Sequence, residues 1–320
     1  MMQIFLYTLS FIIGLIFIIY GGNLLVKTAL KISHITGIPE ILIGATIVSL
    51  ATTLPELTVT VLSSAGNLSD LAVGNAIGSV LFNLLFIIGI CIFFSPQKVD
   101  KNNIKKNFYI LFLTTLFLLI LGIFNLHSFL TGIVLILTFI IFFIINIISA
   151  NKKILIEGLE IHKTPVIKNP QKELFFVSLA FIIGATIITF GAKLLVTHGE
   201  NIAHILNISE HIIGVTIVAI GTSLPELVTA INSIKLKSTN IAIGNTFGAN
   251  ILSTTLLIGT TSLMSGNLSI DKNITFIALP LILISLLLIY IPISKHGKTV
   301  KSQGLLLLIM FLIYYSSLFF

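Results

Sequence analysis

The chain has no tryptophan and only one cysteine, and charged residues make up 9% of it. Arginine is also missing, so all 18 basic residues are lysines. Each shortage excludes something. A lone Cys91 inside an apolar run excludes an intramolecular disulfide and gives thiolate metal or redox chemistry no support. So little charge leaves no room for a separate soluble domain, whose surface would need far more. The missing arginine and tryptophan read as a codon bias and carry no mechanism. A formal charge of +7 would suggest a nucleic-acid partner in a soluble protein. Here the lysines fall in short loops between apolar runs, where they direct topology, and no nucleic-acid partner is implied.

What is present is hydrophobic: 56% of 320 residues, with a mean hydropathy of +1.13. Hydropathy predicts an all-α polytopic membrane protein of ten spans, at about 4–26, 38–64, 70–95, 107–125, 128–150, 173–197, 208–234, 239–265, 274–293 and 303–320. The first apolar segment follows Met-Met-Gln with no basic stretch before it, so it reads as a retained span. The polar interruption 151–172 divides the chain into a first half, 1–150, and a second, 173–320, each of five spans.

The halves are related. A shift of 170 residues without a gap aligns 44-GATIV-48 with 214-GVTIV-218, 52-TTLPEL-57 with 222-TSLPEL-227, and 74-GNAIG-78 with 244-GNTFG-248; 31 of the 80 positions from 11 to 90 are identical. Glycine, proline, glutamate and asparagine are among the matches, so shared hydrophobic composition does not account for them. Five is an odd number of spans, so the second half enters the membrane from the opposite side and the repeats are inverted. Lysine placement orients them. With the N-terminus outside, sixteen of eighteen lysines are cytoplasmic, all but Lys193 and Lys272. Both termini are then extracellular, the 151–172 linker cytoplasmic and the setting the cell membrane.

Of the acidic residues only Glu56 and Glu226 lie deep in apolar segments, and they are repeat mates. A carboxylate at mid-membrane costs at least ~2.5 kcal/mol, so it faces a partner, a cavity or an ion path. Pro55 and Pro225 lack the N–H that would bond the carbonyls of Ala51 and Gly221, which predicts a helix break just before each glutamate. Ser49, Thr52, Thr53, Thr60 and Ser63 share a face with Glu56, as do Thr222, Ser223, Thr229 and Ser233 with Glu226. Asn75, Ser79 and Asn83 form a polar stripe on the next span; Asn245, Ala249 and Ser253 take the same places in the second half, beside Asn250. Hard oxygens without histidine or cysteine suit Ca²⁺ and disfavour Zn²⁺ or Cu⁺. The histidines have no metal spacing, His34 and His204 reading as interfacial packing, and nothing suggests a cofactor.

These motifs, 44-GATIVSLATTLPEL-57 with 74-GNAIGSVLFN-83 and 214-GVTIVAIGTSLPEL-227 with 244-GNTFGANILS-253, resemble the paired alpha-repeats of the cation/calcium exchanger superfamily, most of all its prokaryotic sodium/calcium branch. The resemblance implies ten helices, with spans 2, 3, 7 and 8 around the ions and spans 1 and 6 sliding across them. It implies Ca²⁺ held by Glu56, Glu226 and the carbonyls of Thr52 and Thr222. It places sodium with the Ser49 carbonyl, Thr53, Glu56 and Ser79 on one side, and with the Ala219 carbonyl, Thr222, Ser223 and Glu226 on the other, with Asn83 at the centre. The chain departs from that pattern in having Ala249 where serine is usual and Ser253 where aspartate is usual.

The expected function is a secondary antiporter exchanging Ca²⁺ for Na⁺ by alternating access, with no enzyme activity and no protein partner implied. The departures keep H⁺ open as the driving ion. A cation channel would more naturally repeat its carboxylates around a ring. An intramembrane enzyme would need HExxH, a serine with lysine or histidine, or two catalytic aspartates, and the spans hold none.

Overall fold

The computed structural model describes residues 2–96, 99, 101–126, 128–157, 170–205, 219–266 and 270–317. All regular structure in them is helical. The elements are α1 (Met2–Thr36), α2 (Glu40–Thr52), α3 (Leu54–Ala65), α4 (Ser69–Phe94), α5 (Lys101–Phe124), α6 (Phe129–Glu157), α7 (Pro170–Ile205), α8 (Ala219–Thr222), α9 (Leu224–Lys235), α10 (Asn240–Ser265), α11 (Ile274–His296) and α12 (Lys301–Ser317). Among the described residues, seven helices are long and apolar enough to cross a membrane, or eight if α2 and α3, bent by 46° at their junction, count as one span. Against the ten expected spans, α12 is apolar but 17 residues long, and the first part of the expected span 208–234 lies outside the described residues. So do the motif 214-GVTIV-218, residues 158–169 of the linker, and His127, His162 and His211. Helix α6 runs on to Glu157 and α7 begins at Pro170, so regular structure continues past both expected edges of the linker.

Helix ends follow local chemistry. Gly37, at φ +72°, closes α1 with its N–H on the Ser33 carbonyl, and Pro39 then caps α2. Asn67 and Lys237, repeat mates, are both left-handed, at φ 61° and 59°. The next residue donates back in both turns, Leu68 to the Ser63 carbonyl and Ser238 to the Ser233 carbonyl, each at 2.8 Å.

The bundle is polar at its centre and apolar outside, the reverse of a soluble protein. Helix α10 is 94% buried across its most apolar stretch and α4 72%, against 17% for α1. Yet α10 carries Asn245, Thr246, Asn250, Ser253, Thr254, Thr255, Thr261 and Ser262, all buried, while the outer helices present Ile, Leu and Phe. With lipid outside, apolar surface gains nothing by turning inward and polar groups gain hydrogen bonds there.

Small residues set the close approaches. A Cβ on Gly44 would lie 2.5 Å from the Ile241 carbonyl, and one on Gly244 would collide with the Ile41 carbonyl, so α2 and α10 touch backbone to backbone. Helices α1 and α7 cross in the same way through Gly14 with Gly191 and Gly21 with Gly184, pairs that exchange under the 170-residue shift.

Candidate ion-binding site

The chain breaks at Thr53 and at Ser223. Thr53 sits at φ −83°, ψ 0° and Ser223 at φ −89°, ψ 2°, between α2 and α3 and between α8 and α9. Pro55 and Pro225 follow in the first turn of α3 and α9, where a missing N–H costs nothing. The expected break is there, placed at the hydroxyl residue two positions before the proline. Glu56 and Glu226 each come three residues after it, in the first turn of a half-helix whose free N–H groups favour negative charge.

Thr-Leu-Pro-Glu and Ser-Leu-Pro-Glu have the composition of a capping box. Neither hydroxyl caps its own helix. The Thr53 hydroxyl donates instead to Glu226 Oε1 (3.3 Å), and the Ser223 hydroxyl to Glu56 Oε1 (3.2 Å). One residue earlier, Thr52 donates to Asn245 Oδ1 (3.2 Å) and Thr222 to Asn75 Oδ1 (3.4 Å). Thr52 also faces Glu226, and Thr222 faces Glu56. Shifting each residue number by 170 converts every one of these contacts into another member of the set. The two breaks are therefore wired to each other across the halves, and each carboxylate is held by the hydroxyl at the opposite break.

Of the expected site residues the structure brings together Glu56, Glu226, Thr52, Thr53, Thr222 and Ser223, all at most 2% exposed. Ser49 is buried one turn before Thr52; its carbonyl accepts the Thr53 N–H (2.9 Å) and its hydroxyl donates to Thr46. Ala219 opens α8, three residues before Thr222. Ser79 and Asn83 are buried on α4, and Asn83 Nδ2 donates to Asn250 Oδ1 across the halves (3.0 Å). Asn75 and Asn245 were legible as polar residues on the stripes but not as partners of the break, and Asn250 was legible as polar but not as the partner of Asn83. The signal was there for the first two, since they are the same asparagine in both GNxxG segments.

Several buried oxygens remain unpartnered: Glu56 Oε2, Glu226 Oε2, Ser79 Oγ, Asn83 Oδ1, Thr60 Oγ1 and Thr229 Oγ1. Leaving a buried polar atom unsatisfied costs about 1–3 kcal/mol, more for a charged group, and here the cost recurs around two carboxylates. The described residues contain no cluster of three or more histidine, cysteine, aspartate or glutamate side chains. A cation among these groups would draw two carboxylates and otherwise neutral hydroxyl, amide and carbonyl oxygens, a hard-cation set.

Paired carboxylates at helix breaks in the polar centre of a bundle that is apolar outside point to a membrane transporter of cations. The chain matches the sodium/calcium exchanger protein family over residues 6–148 and 176–320, and it belongs to that family. It is thus an ion exchanger and not an enzyme. An uncharacterized membrane protein of Methanocaldococcus jannaschii is 32% identical over 308 residues, covering 96% of both chains. A sodium/calcium exchanger of Methanosarcina acetivorans is 27% identical over 98% of both. A structure of the sodium-calcium exchanger NCX_Mj, soaked with Na⁺ and without Ca²⁺, superposes with a TM-score of 0.84 at 29% identity, covering 98% of this chain and 99% of that one.

Proposed function

We propose that this chain exchanges Ca²⁺ for Na⁺ across the cell membrane by alternating access at the Glu56 and Glu226 site. The observation that carries the reading is the reciprocal wiring of the two breaks, with one oxygen of each carboxylate left free. Such a site offers two negative charges, which balance one Ca²⁺ or two Na⁺, so the two cargoes compete for the same ligands. In this reading Glu56 and Glu226 bind Ca²⁺ with the Thr52 and Thr222 carbonyls. Sodium takes the Ser49 and Ala219 carbonyls, Thr53, Ser223, Thr222 and Ser79, and Asn83 lines the centre. The Methanosarcina relative is a sodium/calcium exchanger and NCX_Mj a sodium-calcium exchanger, which supports sodium and calcium as cargo.

The same reading takes the chain as ten spanning helices in two inverted repeats, 1–150 and 173–320, joined by a cytoplasmic 151–172 segment with both termini outside. The exchange of contacts under the 170-residue shift supports it. On a Cys91→Ser background, cysteines at Ser69 and Lys272 are expected to react with an impermeant thiol reagent applied outside, and cysteines at Lys101 and Lys298 to be protected. The reverse pattern overturns the orientation, and mixed labelling within one half overturns the ten-span arrangement.

Protons are the second reading, favoured by Ala249 and Ser253. Ala249 is buried on α10 where its repeat mate Ser79 supplies a free hydroxyl, so one neutral oxygen is missing on that side. Sodium needs several neutral oxygens around each carboxylate and a proton needs none. The test is ⁴⁵Ca²⁺ uptake into proteoliposomes under an outward sodium gradient and, separately, a proton gradient. Uptake is expected to follow sodium, and Ala249→Ser to lower the sodium concentration for half-maximal exchange. Uptake that follows the pH gradient, ignores sodium and is unchanged by Ala249→Ser assigns the drive to protons.

A further inference from the structure

Away from the carboxylates, a cleft of about 380 Å³ opens between α1 and the end of α9. Its lining includes Tyr20, Asn23 and Lys27 from α1, and Asn232, Lys235 and Leu236 at the end of α9. Asn232 and Lys235 lie six and nine residues beyond Glu226, roughly 9–14 Å along the helix, so this space is separate from the ion site. Both lysines are exposed, and no acidic side chain lines the cleft among the described residues.

The wall is made of donors. Two lysines and two asparagines line the cleft, and Asn232 Nδ2, buried at its edge, is a donor without a protein partner. A helix C-terminus would normally oppose an anion through its free carbonyls. Here the tight turn after α9 has used three of the last four: the Asn232 carbonyl accepts from Leu236, that of Ser233 from Ser238, and that of Ile234 from Lys237, at 2.8–3.0 Å. The rim is apolar and open to the bilayer, with Tyr20 71% and Leu236 37% exposed. Helix α1, of 35 residues, is about 50 Å long against about 30 Å of hydrocarbon, which places Lys27, nine residues from its end, near headgroup depth.

We propose that this cleft binds the phosphate of an anionic phospholipid headgroup, its oxygens held by Lys27, Lys235 and Asn232 and its acyl chains lying over Tyr20 and Leu236. Paired lysines with an unsatisfied amide donor suit a phosphate, and the adjoining apolar rim suits the chains of a lipid. The ligand bridges α1 to the half-helix that carries Glu226.

The test uses the full chain in detergent. Binding of phosphatidylglycerol is measured by native mass spectrometry against zwitterionic phosphatidylcholine, with inorganic phosphate as competitor. Phosphatidylglycerol is expected to bind more tightly. The double substitution Lys27→Gln, Lys235→Gln should weaken it about twenty-fivefold, from roughly fivefold per lysine, while Lys193→Gln with Lys272→Gln leaves it unchanged. Competition by inorganic phosphate with the same lysine dependence supports the site and shows that it also takes the free anion. Equal binding of the two lipids, or phosphatidylglycerol binding that survives the double substitution, overturns the proposal. Should that variant fail to stay monodisperse, Asn232→Asp is read in its place: a carboxylate beside the phosphate should weaken phosphatidylglycerol binding at least roughly fivefold by like-charge repulsion, and no change overturns the site.

Discussion

Replacing Glu56 or Glu226 by glutamine is expected to abolish calcium exchange in proteoliposomes while the purified protein stays monodisperse. The fold should survive because the substitution conserves shape and the key contact. A glutamine oxygen still accepts from Ser223 or Thr53, as the carboxylate oxygens do at 3.2 and 3.3 Å. Function should not survive, because among the described residues only two ionisable groups stand at this centre. A unit charge about 4 Å from a divalent ion contributes about 8 kcal/mol at an effective dielectric constant of ~20, twice the figure for a monovalent pair. Retaining even a quarter of that, about 2 kcal/mol, makes each lost charge worth roughly thirtyfold in affinity. The measurement is ⁴⁵Ca²⁺ exchange, with size-exclusion chromatography as the folding control. Transport retained by both single variants would remove the shared-carboxylate mechanism.

The second large effect belongs to the crossing of α2 and α10. Gly244→Ala is expected to destabilise the detergent-solubilised protein by about 2 kcal/mol or more, and Gly244→Leu to prevent recovery of monodisperse material. The added Cβ would meet the Ile41 carbonyl and, at 3.1 Å, the Ala45 nitrogen. Both are backbone atoms, so no side-chain rotation relieves the contact and the helices must move apart. Such separation also pulls Thr52 from Asn245, so exchange should fall with stability. Gly66→Ala is the control. Its Cβ would meet the Leu62 carbonyl at 3.4 Å, and its φ of −83° suits any residue. Thermal unfolding followed by fluorescence-detected chromatography separates the three; equal midpoints for Gly244→Ala and Gly66→Ala would show that the crossing is not tight.

Much of the site could be read from the chain because it is written twice. Glu56 with Glu226, and Asn75 with Asn245, are identical residues at one offset, and that repetition separates them from the surrounding Ile and Leu. Proline also predicted where the helices break, since its effect acts on its own turn. Its exact consequence was less legible. The proline argument pointed to free carbonyls at Ala51 and Gly221, whereas the breaks centre on Thr53 and Ser223, and the prolines sit in the first turn of the next half-helix. A proline fits either ending: a kink within a helix or a clean start of a new one. Which occurs depends on whether something else takes the hydroxyl two residues before it, that of Thr53 or Ser223.

The sequence by itself determined the membrane setting, the duplicated carboxylates and the positions of the breaks, because each follows from hydrophobicity, identity or sterics within about one helical turn. Only the tertiary structure decided partners. Locally, Thr53 and Ser223 are ordinary capping residues for their own helices; in the folded chain they hold the glutamates of the other half, 173 and 167 residues away. The π-helical turns at Phe82–Ile87 and Ser253–Leu257, which set Asn83 and Ser253 at the start of their segments, were equally silent in the pattern. Hydrogen-bond donors choose among acceptors by distance, and that distance is fixed by how closely glycine faces such as Gly44 and Gly244 let the helices pack. No local rule contains that packing, so the same eight letters that would cap an isolated helix become, once packed, a link between the two halves.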